Sequence, residues 1–437
     1  MLTSLTEKVE ATLQRYAGQR LCVGFSGGLD SSVLLHVLAQ LAPQVGFSLS
    51  VVHVHHGLSP HADAWATHCE RVASELGVPL AVHRVQVERD GEGLEAAARR
   101  ARHAVFAEVD ADWIVLAHHR NDQVETVLHR LMRGTGVHGV GAMLARDDAR
   151  RILRPLLDVS RNEIEAYARE HRLEWIEDES NRDTRFTRNF LRHELLPLWS
   201  QRQAGLETNL ARAAGLFAEA AALLDVLASE DAARVAPGTP GARQRLASLD
   251  EARARNLLRY LLVQAGCQPP QSHRLAEALR QIVDAEEGVR LPFDKNMLCA
   301  WRDLLWLETI DEELPQEIIW RGEPQLVWGS GRVMFREAEG EEALRISPDG
   351  STHIVQREGG ERLRLRADGP SRAFKQMCQE AGIPPWLRQR LPVLRRESEA
   401  GSEVMWIGGL GATSGARCAE GERGWLVEWR DAPILAR

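Results

Sequence analysis

The first 200 residues alternate short β-type runs with helical runs, and no other feature of the chain limits the fold so strongly. Residues 21–25, 49–54, 80–87 and 113–117 are short runs, apolar, β-branched or alternating in character. Residues 31–41, 62–76, 94–109 and 121–132 follow them and read as helices. A helix between consecutive strands carries the chain back to the same end of the sheet, so the strands run parallel. The expected class is α/β: a doubly wound parallel sheet with helices on both faces. Ligands bind such sheets at the carboxyl ends of the strands.

The rest of the chain reads differently. Residues 205–228 are dominated by Ala, Leu, Glu and Arg, which favour helix. Residues 236–241 pack Pro and Gly into a loop, and 246–283 is again helical. Strands are expected beyond about residue 310. Two short runs within 325–335, joined by Gly-Ser-Gly, carry a hairpin signal. Eight of the twelve tryptophans lie beyond residue 300, which suits small β-rich modules with modest cores. The expected domains are 1–200, a helical middle domain 201–312, and a small β-rich domain 313–437.

Composition excludes several classes. With 44% hydrophobic and 27% charged residues the chain is an ordinary globular one. Its net charge of −8 excludes a uniformly basic nucleic-acid coat but leaves room for local basic patches. No apolar run approaches the ~18 residues of a membrane helix. The first residues show no signal-peptide core, so a cytoplasmic location is expected. The six cysteines form no C-x-x-C pair, which argues against a zinc module or a disulfide framework.

The strongest chemical signal is Ser26-Gly27-Gly28-Leu29-Asp30-Ser31-Ser32, which follows a predicted strand and opens a predicted helix. Small residues let backbone N–H groups approach a phosphate, and the helix N-terminus adds donors and a favourable dipole. Asp30 would repel phosphate, so it reads as a magnesium ligand or an organiser of the loop. No Walker A pattern is present. Arg99 and Arg102 lie three apart on one helical face, a spacing that suits a phosphate clamp or a solvated basic face. Asp122 and Glu125, also three apart, suit magnesium, a cationic amine or, for Asp122, a helix cap.

The loop at residues 26–31 resembles the signature of the PP-loop ATP pyrophosphatases, which split ATP to AMP and pyrophosphate. Further segments resemble one branch, the tRNA(Ile)-lysidine synthetases. They are His56-Gly57-Leu58, Glu95 through Arg102, and His118-His119-Arg120-Asn121-Asp122-Gln123-Val124-Glu125-Thr126. Arg133-Gly134-Thr135-Gly136, Arg154-Pro155-Leu156, Asp178-Glu179-Ser180-Asn181 and residues 187–197 continue the match. Arg357 through Arg362, Phe374-Lys375 and Gly382 through Arg388 extend it to the last domain. Ser59 and His103 depart from the residues many relatives carry there.

The resemblance implies ATP and Mg2+ as cofactors, with lysine and a tRNA(Ile) of anticodon CAU as substrates. It implies an ATP-dependent ligase that joins lysine to C2 of the wobble cytidine, and no obligatory protein partner. Asp30, Asp122, Arg99 and Arg102 would be catalytic, with Asp30 and Asp122 on the metal. Ser26, Gly27, Gly28, Leu29, Asp30, Ser31, Ser32, His56 and Gly134 would hold the nucleotide. Arg185, Arg188, Arg192, Arg362, Lys375 and Arg388 would meet tRNA. Local charge supports that: residues 182–192 carry four Arg against one Asp, and 361–396 carry nine basic against three acidic residues. The rivals are a PP-loop tRNA thiolase, which needs reactive cysteines, an amidotransferase-coupled synthetase, for which no glutaminase domain is evident, and a non-catalytic ATP- or RNA-binding homologue.

Overall fold

The computed structural model describes residues 4–87, 93–141, 143–177, 183–286, 288–309, 313–329, 331–357, 362–365, 369–398 and 401–430. The chain divides into two compact units, Met1–Leu224 and Asp225–Arg437.

The first unit runs α1 (Leu5–Leu13), β1 (Arg20–Gly24), α2 (Leu29–Val45), β2 (Ser48–His55), α3 (Ala62–Glu75), β3 (Leu80–Arg84), α4 (Leu94–Glu108) and β4 (Trp113–Val115). It continues with α5 (Arg120–Met132), α6 (Val137–Val140), β5 (Arg146–Asp147), β6 (Ile152–Leu153), α7 (Arg161–Glu170), α8 (Thr187–Phe190) and α9 (Leu196–Ser200). The helix α10 (Leu206–Val235) follows. The six strands form one sheet in the order β3-β2-β1-β4-β6-β5. All neighbours are parallel except the short edge pair β5–β6.

Period-two alternation decides the faces. Leu21, Val23, Val51, Val115 and Leu153 join α1, α2 and α7 in one core. Cys22, Val52, Ile114 and Ile152 point the other way, to Val105 and Phe106 of α4. The expected doubly wound sheet is therefore present. The chain order reverses between β1 and β4, so a crevice opens at their carboxyl ends.

The second unit opens with α11 (Ala242–Ala247), α12 (Glu251–Gln264) and α13 (Ser272–Asp284). They share a core with an antiparallel sheet of β7 (Val289–Phe293), β8 (Asn296–Trp301) and β9 (Leu304–Thr309). The middle region is thus helical first, but strands begin at Val289 rather than near 310. The turns hid them. Asp294 and Arg302 make the two turns at φ 50° and 51°, so no glycine marks either one.

The remaining strands are β10 (Glu317–Trp320), β11 (Gln325–Trp328), β12 (Gly331–Glu339), β13 (Thr352–Val355), β14 (Arg362–Leu363) and β15 (Arg372–Ala373). After α14 (Phe374–Glu380) come β16 (Val393–Ser398), β17 (Gly401–Ile407), β18 (Gly411–Ala412) and β19 (Arg423–Arg430). The expected hairpin is β11–β12, with Leu326 opposite Val333. Buried Trp320 and Trp328 anchor a core that also takes Trp406.

Gly24 ends β1 where α4 crosses it. A Cβ there would lie 2.7 Å from Leu116 Cδ2 and 2.9 Å from Phe106 Cζ. Gly24→Ala should therefore destabilise the first unit by about 1–3 kcal/mol through overpacking. Thermal unfolding checks this, and Phe106→Leu in the same chain should return part of the loss.

Candidate active site

The site begins with the turn between β1 and α2. Gly27 sits at φ +80°, and a Cβ there would come within 2.7 Å of Ile176 Cδ1. Only glycine satisfies both constraints. Ser26 Oγ lies 3.1 Å from Ser31 Oγ, and the Gly28 N–H donates to Ser26 Oγ at 3.3 Å. Ser31 Oγ donates to the Gly28 carbonyl at 3.0 Å. These bonds hold the loop open at the N-terminus of α2, a helix of 17 residues. A cavity of about 970 Å³ opens there, lined by Ser26, Gly28, Leu29, Asp30 and Ser31 among others. Gly27 and Ser32 shape the loop from behind: the buried Ser32 hydroxyl donates to the Gly27 carbonyl at 3.4 Å.

Asp30 faces into the cavity and is held by a residue the sequence reading missed. Arg161, first residue of α7, places Nη1 2.7 Å from both Asp30 carboxylate oxygens. The Arg161 amide donates to Asn121 Oδ1 at 3.0 Å, which ties α7 to α5. Burial pushes the Asp30 carboxyl above its usual range, against the pull of His119 and Arg161. Arg161 follows the N-cap Ser160, and the Ser160…Glu163 capping-box spacing is the sequence signal that could have located this helix start.

Asp122 divides its oxygens between the start of α5 and an arginine. Asp122 is not the N-cap the spacing allowed: His119 holds that position, and Asp122, third in the helix, closes a capping box by accepting the His119 N–H on Oδ2 at 3.0 Å, while Oδ1 accepts from Arg192 Nη2 at 3.0 Å. Burial opposes its ionisation, but His119, His118, the His119 amide and Arg192 outweigh it and hold the carboxyl below its usual range. His119 Nδ1 accepts the Asn121 N–H, so in the neutral ring the proton sits on Nε2. That atom is buried without a hydrogen-bond partner, 3.5 Å from Asp122 and 3.7 Å from Asp30.

Glu125 is nearly sealed from solvent, and burial raises its carboxyl. Arg192 grips it with Nε at 2.6 Å and Nη2 at 3.0 Å. A single π-type turn, Leu191–Leu195, turns Arg192 inward. Arg192 therefore lines this cavity with its guanidinium engaged by carboxylates. Burial also pulls His118 down to about 3, with Asp122 opposing and Arg154, Arg102 and Arg99 reinforcing the fall.

Arg99, Arg102 and His56 line this cavity and a second one of about 980 Å³. The second also takes Leu58, Trp65, Phe186, Arg188 and Asn189. The face of α4 that carries both arginines is therefore turned to the site. Gly134 lies just past the C-cap of α5 at φ +68° and lines neither cavity. Arg185 is exposed and paired with Asp183, and Arg188 Nη2 donates to Thr126 Oγ1 at 3.0 Å. Lys375 is exposed on α14. Arg388 is buried and donates to the Ile383 carbonyl at 3.1 Å, so it braces its own loop. Arg362 lies in β14. Residues 178–182 and 358–361, which carried two of the motifs, lie outside the described residues. All six cysteines are buried free thiols, and burial drives Cys69 up to about 12.

Two consequences can be measured. Arg192→Gln leaves the Glu125 charge buried without its partner and should cost about 1–3 kcal/mol. Glu125→Gln in the same chain should recover part of that in urea unfolding. Separately, Glu163 caps α7 and accepts from Lys8 Nζ at 2.5 Å. Burial opposes it, yet Lys8 and Ser160 hold its carboxyl down at about 2. Such a carboxylate stabilises the fold above its unfolded pKa of ~4.3, and the gain fades as pH falls toward the folded value. Glu163→Gln should cost about 1 kcal/mol at neutral pH for so exposed a pair. The gap from the parent protein should begin to close below pH ~4.

Residues 1–199 match the PP-loop domain family, 242–306 the TilS substrate binding domain and 352–429 the TilS substrate C-terminal domain. A tRNA(Ile)-lysidine synthase of Azoarcus sp. (strain BH72) is 48% identical over 415 residues, covering 94% of this chain and 91% of that one. The Aromatoleum aromaticum protein of the same name is 48% identical, over 94% and 97% of the two chains. Among solved structures, the U34-tRNA thiolase NcsA from Methanococcus maripaludis with its [4Fe-4S] cluster aligns with a TM-score of 0.43 and 16% identity. That alignment covers 49% of this chain and 78% of the other.

Proposed function

The chain belongs to the tRNA(Ile)-lysidine synthase family, ATP-dependent ligases of the PP-loop type, and from that premise we propose how its residues divide the work. The substrates are ATP, L-lysine and a tRNA(Ile) with anticodon CAU. In the first step O2 of the wobble cytidine attacks the α-phosphorus. The O2–P bond forms, the bond to pyrophosphate breaks, and pyrophosphate leaves. In the second step the lysine ε-amine, having lost its proton, attacks C2. The C–N bond forms, the C2–O bond breaks, and AMP leaves. The lysidine so formed pairs with AUA in place of AUG.

One observation carries the assignment of roles. The N-terminus of α2, the arginines of α4 and the carboxylates of α5 all open into one cavity. The loop at residues 26–31 receives the pyrophosphate end of ATP through backbone N–H groups. Arg99 and Arg102 stand where charge develops on the α-phosphoryl group and stabilise it. Asp122 and Glu125 offer negative charge to an ammonium group. His56 borders the nucleotide.

Magnesium fits the donor set. It usually takes one or two carboxylates, with substrate phosphates and waters completing the octahedron. Asp30 and Asp122 flank His119 Nε2 at 3.7 and 3.5 Å. Among the described residues no cluster of three or more His, Cys, Asp or Glu is arranged to hold a metal, so phosphate oxygens would complete the shell. When bound, the ion neutralises charge on the leaving group.

We assign the domains as 1–200 for catalysis and 201–312 and 313–437 for tRNA. Arg185, Arg188, Arg362 and Lys375 contribute phosphate contacts. Among the described residues no helix is long and apolar enough to cross a membrane, and a cytoplasmic site of action is part of this reading.

The test combines purified protein, Mg·ATP, labelled lysine and unmodified tRNA(Ile). Lysine should enter this tRNA and not initiator tRNA(Met), with one AMP released per lysine. Asp30→Asn and Asp122→Asn should each lower the rate by about 10²-fold or more. AMP release without lysine transfer would assign the chemistry to another acceptor.

A further inference from the structure

The segment Gly382-Ile383-Pro384-Pro385-Trp386-Leu387-Arg388 matched a family motif, and its charge suggested RNA contact. It meets the β8–β9 turn of the 242–306 module, within the second unit. Trp301 Nε1 donates to the Gly382 carbonyl at 2.8 Å. Arg302 Nη2 donates to the Gln379 carbonyl, at the end of α14, at 2.7 Å. The Trp386 ring meets Trp301 edge-on at 5.7 Å and lies nearly parallel to Trp306 at 6.2 Å.

Both halves of this contact are stiff. On one side, Asp303 Oδ2 accepts the Gly241 N–H at 2.8 Å, and Arg243 Nη1 donates to the Arg302 carbonyl at 3.0 Å. Arg302 itself holds φ 51°, a conformation that disfavours a residue with a side chain. On the other side, the Ile383 N–H donates to the Cys378 carbonyl at 2.8 Å, and Arg388 braces the same loop. Ile383 and Leu387 are buried in the core that holds α14. A strained turn and a braced loop, each fixed in its own core, leave little freedom between the modules.

We propose that this tryptophan–arginine clasp sets the spacing of the 242–306 and 352–429 modules, so that they meet one tRNA as a single surface. Trp301, Arg302 and Gly382 are then positioning residues: they hold two RNA-contacting surfaces in register and touch no substrate. The inference rests on the reading that both modules bind tRNA. Two linked surfaces held at the right separation bind more tightly than the same surfaces on a loose tether, because the second contact forms at high effective concentration.

The test uses the full chain. Trp301→Phe keeps a ring and removes the N–H. Arg302→Gly removes the guanidinium while glycine accepts the positive φ freely. Gly382→Ala attacks from the other side, since a Cβ there would lie 2.8 Å from Arg302 Nη1. Filter binding gives Kd for unmodified tRNA(Ile), and lysine transfer gives kcat and KM. The Trp301→Phe/Arg302→Gly chain should show roughly tenfold higher Kd and KM for tRNA. Its kcat at saturating tRNA and its KM for ATP should stay as in the parent protein. An unchanged Kd overturns the clasp, and so does a parallel loss of kcat and ATP affinity. If the parent protein binds tRNA without transferring lysine, the catalytic reading fails and the Kd comparison still decides the clasp. If the parent binds no tRNA, both fall.

Discussion

Asp30, Asp122 and Glu125 are among the carboxylates that line one cavity at the carboxyl ends of β1 and β4, and arginines from two other elements neutralise them. Like charges this close and this buried cannot all stay ionised without partners. Arg161 answers Asp30, and Arg192 answers both Asp122 and Glu125. Each arginine arrives from a different element, α7 and the π-type turn, so both must be docked before the site is balanced. The turn that turns Arg192 inward and the capping box that fixes the start of α7 are thus parts of one electrostatic arrangement.

That arrangement also separates two kinds of chemistry within one cavity. Backbone N–H groups at the start of α2 suit an anion. Asp122 and Glu125, a helix away, suit a cation. His119, with a buried and unpartnered Nε2, sits between Asp30 and Asp122. The cavity therefore presents amide donors on one side and carboxylates on the other. The arginines of α4 line both cavities where those surroundings meet.

The second unit solves a different problem. Its modules are small, with modest cores. Here tryptophans do the work that a broad core does elsewhere. Trp320 and Trp328 are sealed inside the last β-module, while Trp301, Trp306 and Trp386 meet between modules.

The α/β class, the glycine turn that opens α2 and the i,i+3 placement of Asp122 and Glu125 on α5 were legible in the sequence. These are local matters, since a strand–turn–helix and an i,i+3 spacing are written in neighbouring residues. The sequence also carried the family resemblance that the comparisons bear out. It did not determine Arg161, the inward turn of Arg192, or the burial of Arg388. It missed strands β7–β9, because their turns use Asp294 and Arg302 where glycine was the signal sought. Charge counting placed Arg192 and Arg388 on RNA-facing surfaces, since a count of arginines cannot tell an exposed guanidinium from one that meets a carboxylate or a carbonyl. Those partners lie dozens of residues away for Arg192, and for Arg388 the choice depended on how its loop packed. Only the tertiary structure brings such groups together, because desolvation and counter-charge depend on the whole surrounding packing and not on the neighbouring sequence.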